Sequence, residues 1–207
     1  MNIMFRYVST IVIGSFIFLT ACAGTKFVSI WRDSAYSGGV LKKIMIVGVS
    51  DKLSHRRIFE DELVKQFKNH GTEAISSATQ IPTMKELNES AIKESARKLN
   101  ADAVLVTHLE GVSEKTVYHP PVHDYSANPN YNRFGFYYRS LHPHVYTPGY
   151  VATYKYVRLE NKLYETASEK LLWAATSETF DPDTVNSVVE SLAAIVIKSL
   201  KENGLIR

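Results

Sequence analysis

Four of the chain's seven histidines fall in one stretch: His119, His123, His142 and His144. The pairs His119-x3-His123 and His142-x-His144 have the close spacing from which imidazoles bind zinc or copper. Only Asp124 adds a neighbouring carboxylate, and a catalytic metal would need an open coordination position as well. The four histidines are therefore a candidate metal site, set against plain solvated histidines on a loop. The same stretch carries Tyr118, Tyr125, Tyr131, Tyr137, Tyr138 and Tyr146, with Pro120, Pro121, Pro129 and Pro143. It is poor in Leu, Ile and Val and cannot build a core of its own. A connection over 118–147 is far longer than the usual loop of about 4–6 residues. Its tyrosines suit a wet boundary with a protein or glycan partner, or local packing over the sheet. Tyr137, Tyr138 and Arg139 are the candidate partner contacts, since aromatics and Arg dominate binding hot spots.

The rest of the chain offers little chemistry. Gly48-Val49-Ser50-Asp51 is a turn without a phosphate-binding glycine pattern, and no G-x-S-x-G elbow occurs. His108 falls on an apolar run and is expected to be a hydrogen-bonded core histidine. Glu110, Glu114, Glu160 and Glu165 have no evident pairing for acid–base work. Arg56, Arg57, Glu60 and Asp61 read as a solvated helix face. No nucleophile, base and electrophile set emerges, so the chain is not expected to be an enzyme; the alternative, an enzyme of unrecognised type, calls for a deep pocket at the carboxyl ends of the parallel strands lined by Ser50, Asp51 or His108.

Cys22 is the single cysteine. A weakly basic head with Arg6 precedes the apolar run 7–19, which closes on Leu19-Thr20-Ala21-Cys22. A basic flank, a short apolar run and small residues at its end mark a processed targeting segment, to be excluded from the fold. The run is short for a spanning helix, which needs about 20 apolar residues. The arrangement resembles a bacterial lipoprotein signal with its lipobox. That resemblance implies removal of residues 1–21 and a lipid on Cys22, the first mature residue. Residues 22–26 are then a lipidated tether and 27–207 a single domain. In Gram-negative lipoproteins the absence of an aspartate just after the cysteine goes with outer-membrane sorting, so with Ala23 and Gly24 in those places the resemblance implies the periplasmic face of the outer membrane.

Once Cys22 is acylated no thiol remains, which excludes a disulfide and a thiolate metal site. The mature length suits one core-bearing domain. Of 24 basic residues only Arg6 is lost, leaving 23 against 21 acidic. That near-neutral balance, without basic–aromatic interleaving, argues against nucleic acid as a partner.

The elements that must position these residues follow from periodicity. Phe27–Trp31 reads as a strand, and Lys43–Val49 as a strand covered on both faces. Ser54–His70 reads as a helix with Phe59, Leu63, Val64 and Phe67 in one stripe, stopped by Gly71. A short strand 73–76, a helix near 88–99 and a strand 103–116 complete two crossover units, which build a parallel sheet. Val151–Tyr164 and Lys170–Ser177 alternate as an antiparallel hairpin. A last helix near 183–202 starts at Asp181-Pro182-Asp183 and ends at Gly204. The expected fold is a mixed α/β sheet in β-α-β-α-β-β-β-α order, helices packed on it, with the long Tyr/His/Pro-rich loop.

Several stretches carry a family likeness: Ile30-Trp31-Arg32-Asp33; Lys43–Val49 with Arg57-x-Phe59-Glu60-Asp61; Ala101-Asp102-Ala103-Val104-Leu105-Val106-Thr107; and Leu163-Tyr164 with Leu171–Phe180. Together they resemble an uncharacterised family of bacterial lipoproteins. More distantly, the element order is similar to the domain shared by the curli-secretion lipoprotein, the N-terminal domain of TolB and the lipoprotein activator of a penicillin-binding protein. The likeness implies an accessory or assembly role through an envelope protein or peptidoglycan-associated partner, with homo-oligomerisation open. It brings no catalytic residue and no cofactor beyond the lipid, with zinc or copper on the loop histidines as the alternative.

Overall fold

In the computed structural model of the chain, residues 24–123 and 146–207 are described. The strands are β1 (Thr25–Arg32), β2 (Lys43–Val49), β3 (Glu73–Ser76), β4 (Ala103–His119), β5 (Val122–His123), β6 (Tyr146–Thr147), β7 (Tyr150–Glu165) and β8 (Leu171–Phe180). The helices are α1 (Leu53–Asn69), α2 (Glu89–Lys98) and α3 (Val185–Glu202), with a 3-10 turn at Ser77–Thr79. Six strands form one mixed sheet in the order β1-β8-β7-β4-β2-β3, and β5 pairs with β6 apart from it. β2 is parallel to β3 and β4, whereas β4–β7, β7–β8 and β8–β1 are antiparallel. The expected mixed sheet with three packed helices is what the chain adopts.

β2 lies between two parallel neighbours and is covered on both faces. Ile44 and Ile46 join Leu63 and Phe67 of α1 and Val189, Leu192, Val196 and Leu200 of α3. Met45 and Val47 point the other way, into a smaller cluster with Ala96 of α2 and Val104. A strand buried on both sides has no polar face, which is why its sequence is a continuous apolar run. Trp173 is the largest fully buried side chain; its Nε1–H donates to Ser199 Oγ at 3.2 Å, and Phe27 meets it edge-on at 5.8 Å.

The three helices among the described residues stop the same way. The N–H of Thr72, Ala101 and Leu205 donates back to the carbonyl of Phe67, Ala96 and Leu200, and the residue before each has positive φ: Gly71 (85°), Asn100 (51°) and Gly204 (68°). This Schellman arrangement satisfies end carbonyls and needs a left-handed residue, which Gly supplies without a Cβ clash and Asn tolerates. α3 begins with a capping box between Thr184 and Ser187. Asp102 joins the second crossover to the first: its Oδ2 accepts from the backbone N–H of Lys42 (2.7 Å) and Lys43 (2.9 Å) at the start of β2.

Two expectations are corrected. Arg56 and Glu60 are not a solvated face, for both are fully buried and paired. α1 lies against β2 and the β3 exit, so these two long side chains point into the protein rather than out. His108 is exposed rather than buried, because β4 leaves the core after Thr107 and its following residues face solvent.

Candidate functional site

β4 and β7 are much longer than the sheet they belong to. Their pairing runs from Ala103–Glu165 to His119–Tyr150, whereas β8 stops opposite Tyr156 at Phe180. The outer six residues of β7, Tyr150–Lys155, therefore form with β4 a two-stranded ribbon projecting past the sheet. Beyond it, Val122 pairs with Thr147 and His123 with Tyr146, so paired backbone reaches into the 118–147 stretch.

Residues opposite one another in antiparallel strands share a face. On one face of the ribbon stand His119, Tyr150, Tyr154 and Tyr156, continued by Phe180 at its base. His119 stacks on Tyr150 (4.7 Å between centroids, 15°) and bonds through Nε2 to the Tyr154 hydroxyl at 3.0 Å. Tyr154 and Tyr156 meet Phe180 at 5.1 and 5.4 Å. On the opposite face Tyr118 pairs with Val151 and Val112 with Val157. Tyr118 (62%) and Val151 (64%) are more exposed than any other large apolar side chains among the described residues. At the base, Glu178 is gripped by Arg158 (2.9 Å) and Lys26 (3.5 Å). The Arg158 hydrogen bond, aided by the Lys26 charge, holds the Glu178 carboxyl below the usual carboxylate range despite partial desolvation.

The other exposed apolar surface is β1, an outer strand of the sheet. It is bulged between Phe27 and Ser29, and Val28, Ile30 and Trp31 are each about half exposed. An edge strand presents unpaired backbone groups, and apolar side chains along it make it a template for another chain.

A cavity of about 320 Å³ opens at the carboxyl end of β2 and beside the middle of β4, under the first turns of α1 and α3. Its walls are mainly apolar, with Phe59, Leu109, Val157, Val185 and Val188 among them. Ser50, His55 and Asp183 also line it, but no hydrogen bond joins any two of them. Asp51 and His108 do not line it. A nucleophile requires a base within hydrogen-bond reach, and this cavity supplies shape without that constellation.

The sequence-predicted residues fare unevenly. Cys22 lies outside the described residues, as do Tyr137, Tyr138, Arg139, His142 and His144. His123 is placed by its backbone in β5. His119 is engaged by two tyrosines, and among the described residues no cluster of three or more His, Cys, Asp and Glu could hold a metal ion. The aromatic face of the ribbon was missed, though tyrosines at 150, 154 and 156 sit at even spacing on a strand. Also missed was the buried centre behind the cavity. There Glu60 accepts from Arg56 Nε, Gly48 N, Ser76 Oγ, Ser77 Oγ and Ala78 N, while Arg56 also donates to Ser77 Oγ and the Ile81 carbonyl.

No family model and no curated protein matches the chain. Among solved structures, the PelC dodecamer from Paraburkholderia phytofirmans is similar at 15% identity and TM-score 0.47, over 86% of this chain and 99% of that one. Lipoprotein GNA1162 from Neisseria meningitidis is similar at 12% identity and TM-score 0.41, over 77% of this chain and 98% of that one.

Proposed function

We propose that this chain is a lipoprotein, anchored through Cys22 at the periplasmic face of the outer membrane, that acts as a non-catalytic accessory or assembly factor by binding an envelope protein. The observation that carries the reading is β1. It begins at Thr25 within the expected tether, lies at the edge of the sheet, and between Lys26 and Arg32 keeps Val28, Ile30 and Trp31 exposed, an apolar stretch that an edge without a partner would cover. Strand addition to such an edge takes its affinity from main-chain hydrogen bonds and its selectivity from the alternating side chains. Tyr137, Tyr138 and Arg139 are the second contact in this reading.

The test is site-specific photo-crosslinking in intact cells, with a photoreactive amino acid at Ile30, at Trp31 and, as control, at Lys68. A discrete protein adduct from Ile30 and Trp31, absent at Lys68 and lost when Val28→Pro is added, is expected. An adduct pattern no different from that of Lys68 overturns the edge-mediated reading. An adduct of twice the chain's mass identifies the partner as a second copy and overturns the choice of a different envelope protein.

A further inference from the structure

We infer that the β4–β7 ribbon lies in the membrane interface and fixes how the domain sits on the bilayer. The inference rests on the lipid at Cys22 proposed above. Its geometric basis is the point where the tether leaves the fold. The Gly24 carbonyl accepts from the Phe180 N–H, and Thr25 is opposite Thr179, so the chain enters β1 beside the base of the ribbon. β1 runs antiparallel to β8, so its backward continuation points the way the ribbon projects. Only Ala23 separates Gly24 from Cys22. At about 3.8 Å per residue the Cys22 Cα stays within about 8 Å of Gly24. The ribbon extends six residues past Tyr156, which at about 3.4 Å each is about 20 Å. A tether of that length cannot lift the domain until the ribbon clears the headgroups.

The ribbon's composition fits that place. Tyr118, Val151 and Tyr150 at its outer end are all more than half exposed. Tyrosine is favoured where one end of a side chain is apolar and the other wet, as at a bilayer interface. Lys115, Lys155 and Glu114 interrupt both faces further in, and among the described residues no third strand pairs with the ribbon, whose β7 edge is joined to Asp181 at Lys155 only at its inner end. Open strand edges are excluded from hydrocarbon, so the ribbon belongs at headgroup depth and does not span. A projecting two-stranded ribbon is marginal alone in water, and a surface to lie on removes that weakness.

The experiment uses the full lipidated protein. Because the sulfur of Cys22 is taken by the lipid and no other cysteine exists, Val151→Cys introduces one free thiol for an environment-sensitive fluorophore. The labelled protein is reconstituted in phosphatidylethanolamine–phosphatidylglycerol vesicles, with Lys68→Cys on the far end of α1 as control and Tyr118→Cys as a second ribbon site. The expected result is a blue-shifted ribbon label, quenched by lipids brominated near the headgroup. Its quenching by aqueous iodide should be several-fold weaker than that of the Lys68→Cys label. If the protein floats with vesicles but both ribbon labels stay as accessible as the control, this inference is overturned and the anchor stands. If the protein does not float, the anchor fails and the inference falls with it.

Discussion

Glu60 shows what one buried carboxylate does here. It takes hydrogen bonds from α1, the β2 exit, β3 and the 3-10 turn, and thereby holds four segments around one charge. Glu60→Gln keeps the volume but leaves the Arg56 guanidinium without a counter-charge in a fully buried place. The expected loss is about 3–5 kcal/mol, a large part of a typical domain's stability. Urea denaturation at neutral pH measures it, and a loss below about 0.5 kcal/mol, the range of ordinary surface changes, would mean that water reaches the pair. Glu178 behaves differently. Its carboxyl is depressed by Arg158 and Lys26, so the folded state holds the proton less tightly than the unfolded chain. The stabilisation is present above the ordinary carboxylate pKa and is lost as pH falls through the depressed one. Glu178→Gln should thus lower the melting temperature slightly at pH 7 and in low salt, with the difference vanishing near pH 2. A difference that grows towards acid pH would contradict the assigned direction.

At the scale of elements, α3 is the helix the sheet depends on. Val188, Val189, Leu192, Ala193, Val196, Ile197 and Leu200 are buried on it, and Leu192 is fully enclosed. Leu192→Ala should cost about 2–5 kcal/mol by the cavity it leaves. Leu192→Asp should abolish the folded state, because a carboxylate there loses its hydration with no partner. Circular dichroism of the soluble domain distinguishes these outcomes, and a native-like spectrum and melt for Leu192→Asp would contradict the packing described. The helix ends allow a cleaner comparison. A Cβ at Gly204 would touch nothing within 4 Å, so Gly204→Ala probes only its φ of 68°. A left-handed alanine is disfavoured by about 1–2 kcal/mol, whereas Asn100→Gly at the equivalent position of α2 should be neutral or mildly stabilising.

For the whole molecule, the sheet is closed by pairing residues far apart in the chain. β1 joins β8, and α1 and α3 share one core over β2, β7 and β8. The core is common to nearly every element, so unfolding should be a single cooperative step. The two tryptophans make this measurable. Trp173 is fully buried and Trp31 is 49% exposed, so Trp31→Phe leaves one emitter in the core. Its red shift in urea should coincide with the loss of far-ultraviolet ellipticity. Two separated transitions would mean that the β1–β8–α3 side and the β2–β3–α1 side fold as separate units.

The sequence by itself determined the elements and their order, because each stripe or alternation reports which side of its own backbone is apolar. Ile44–Val47 announced a doubly covered strand, and Leu192 with its neighbours a broad apolar helix face. It also singled out Cys22, whose significance is local to the residues before it. Local patterns do not say what covers a face. Arg56 and Glu60, four residues apart on a helix, look the same whether they meet water or a buried ring of donors. Only the arrival of Ser76, Ser77 and Ala78 from β3 and its exit decides that. His108 continues an apolar run, but the core ends beneath Thr107, and where a core ends is set by the lengths of its neighbours. The pairing of β1 with β8, across most of the chain, and the outrunning of β8 by β4 and β7 are likewise matters of tertiary assembly. From them come the exposed edge and the projecting ribbon, because surface is defined by what fails to pack, and no single segment carries that information.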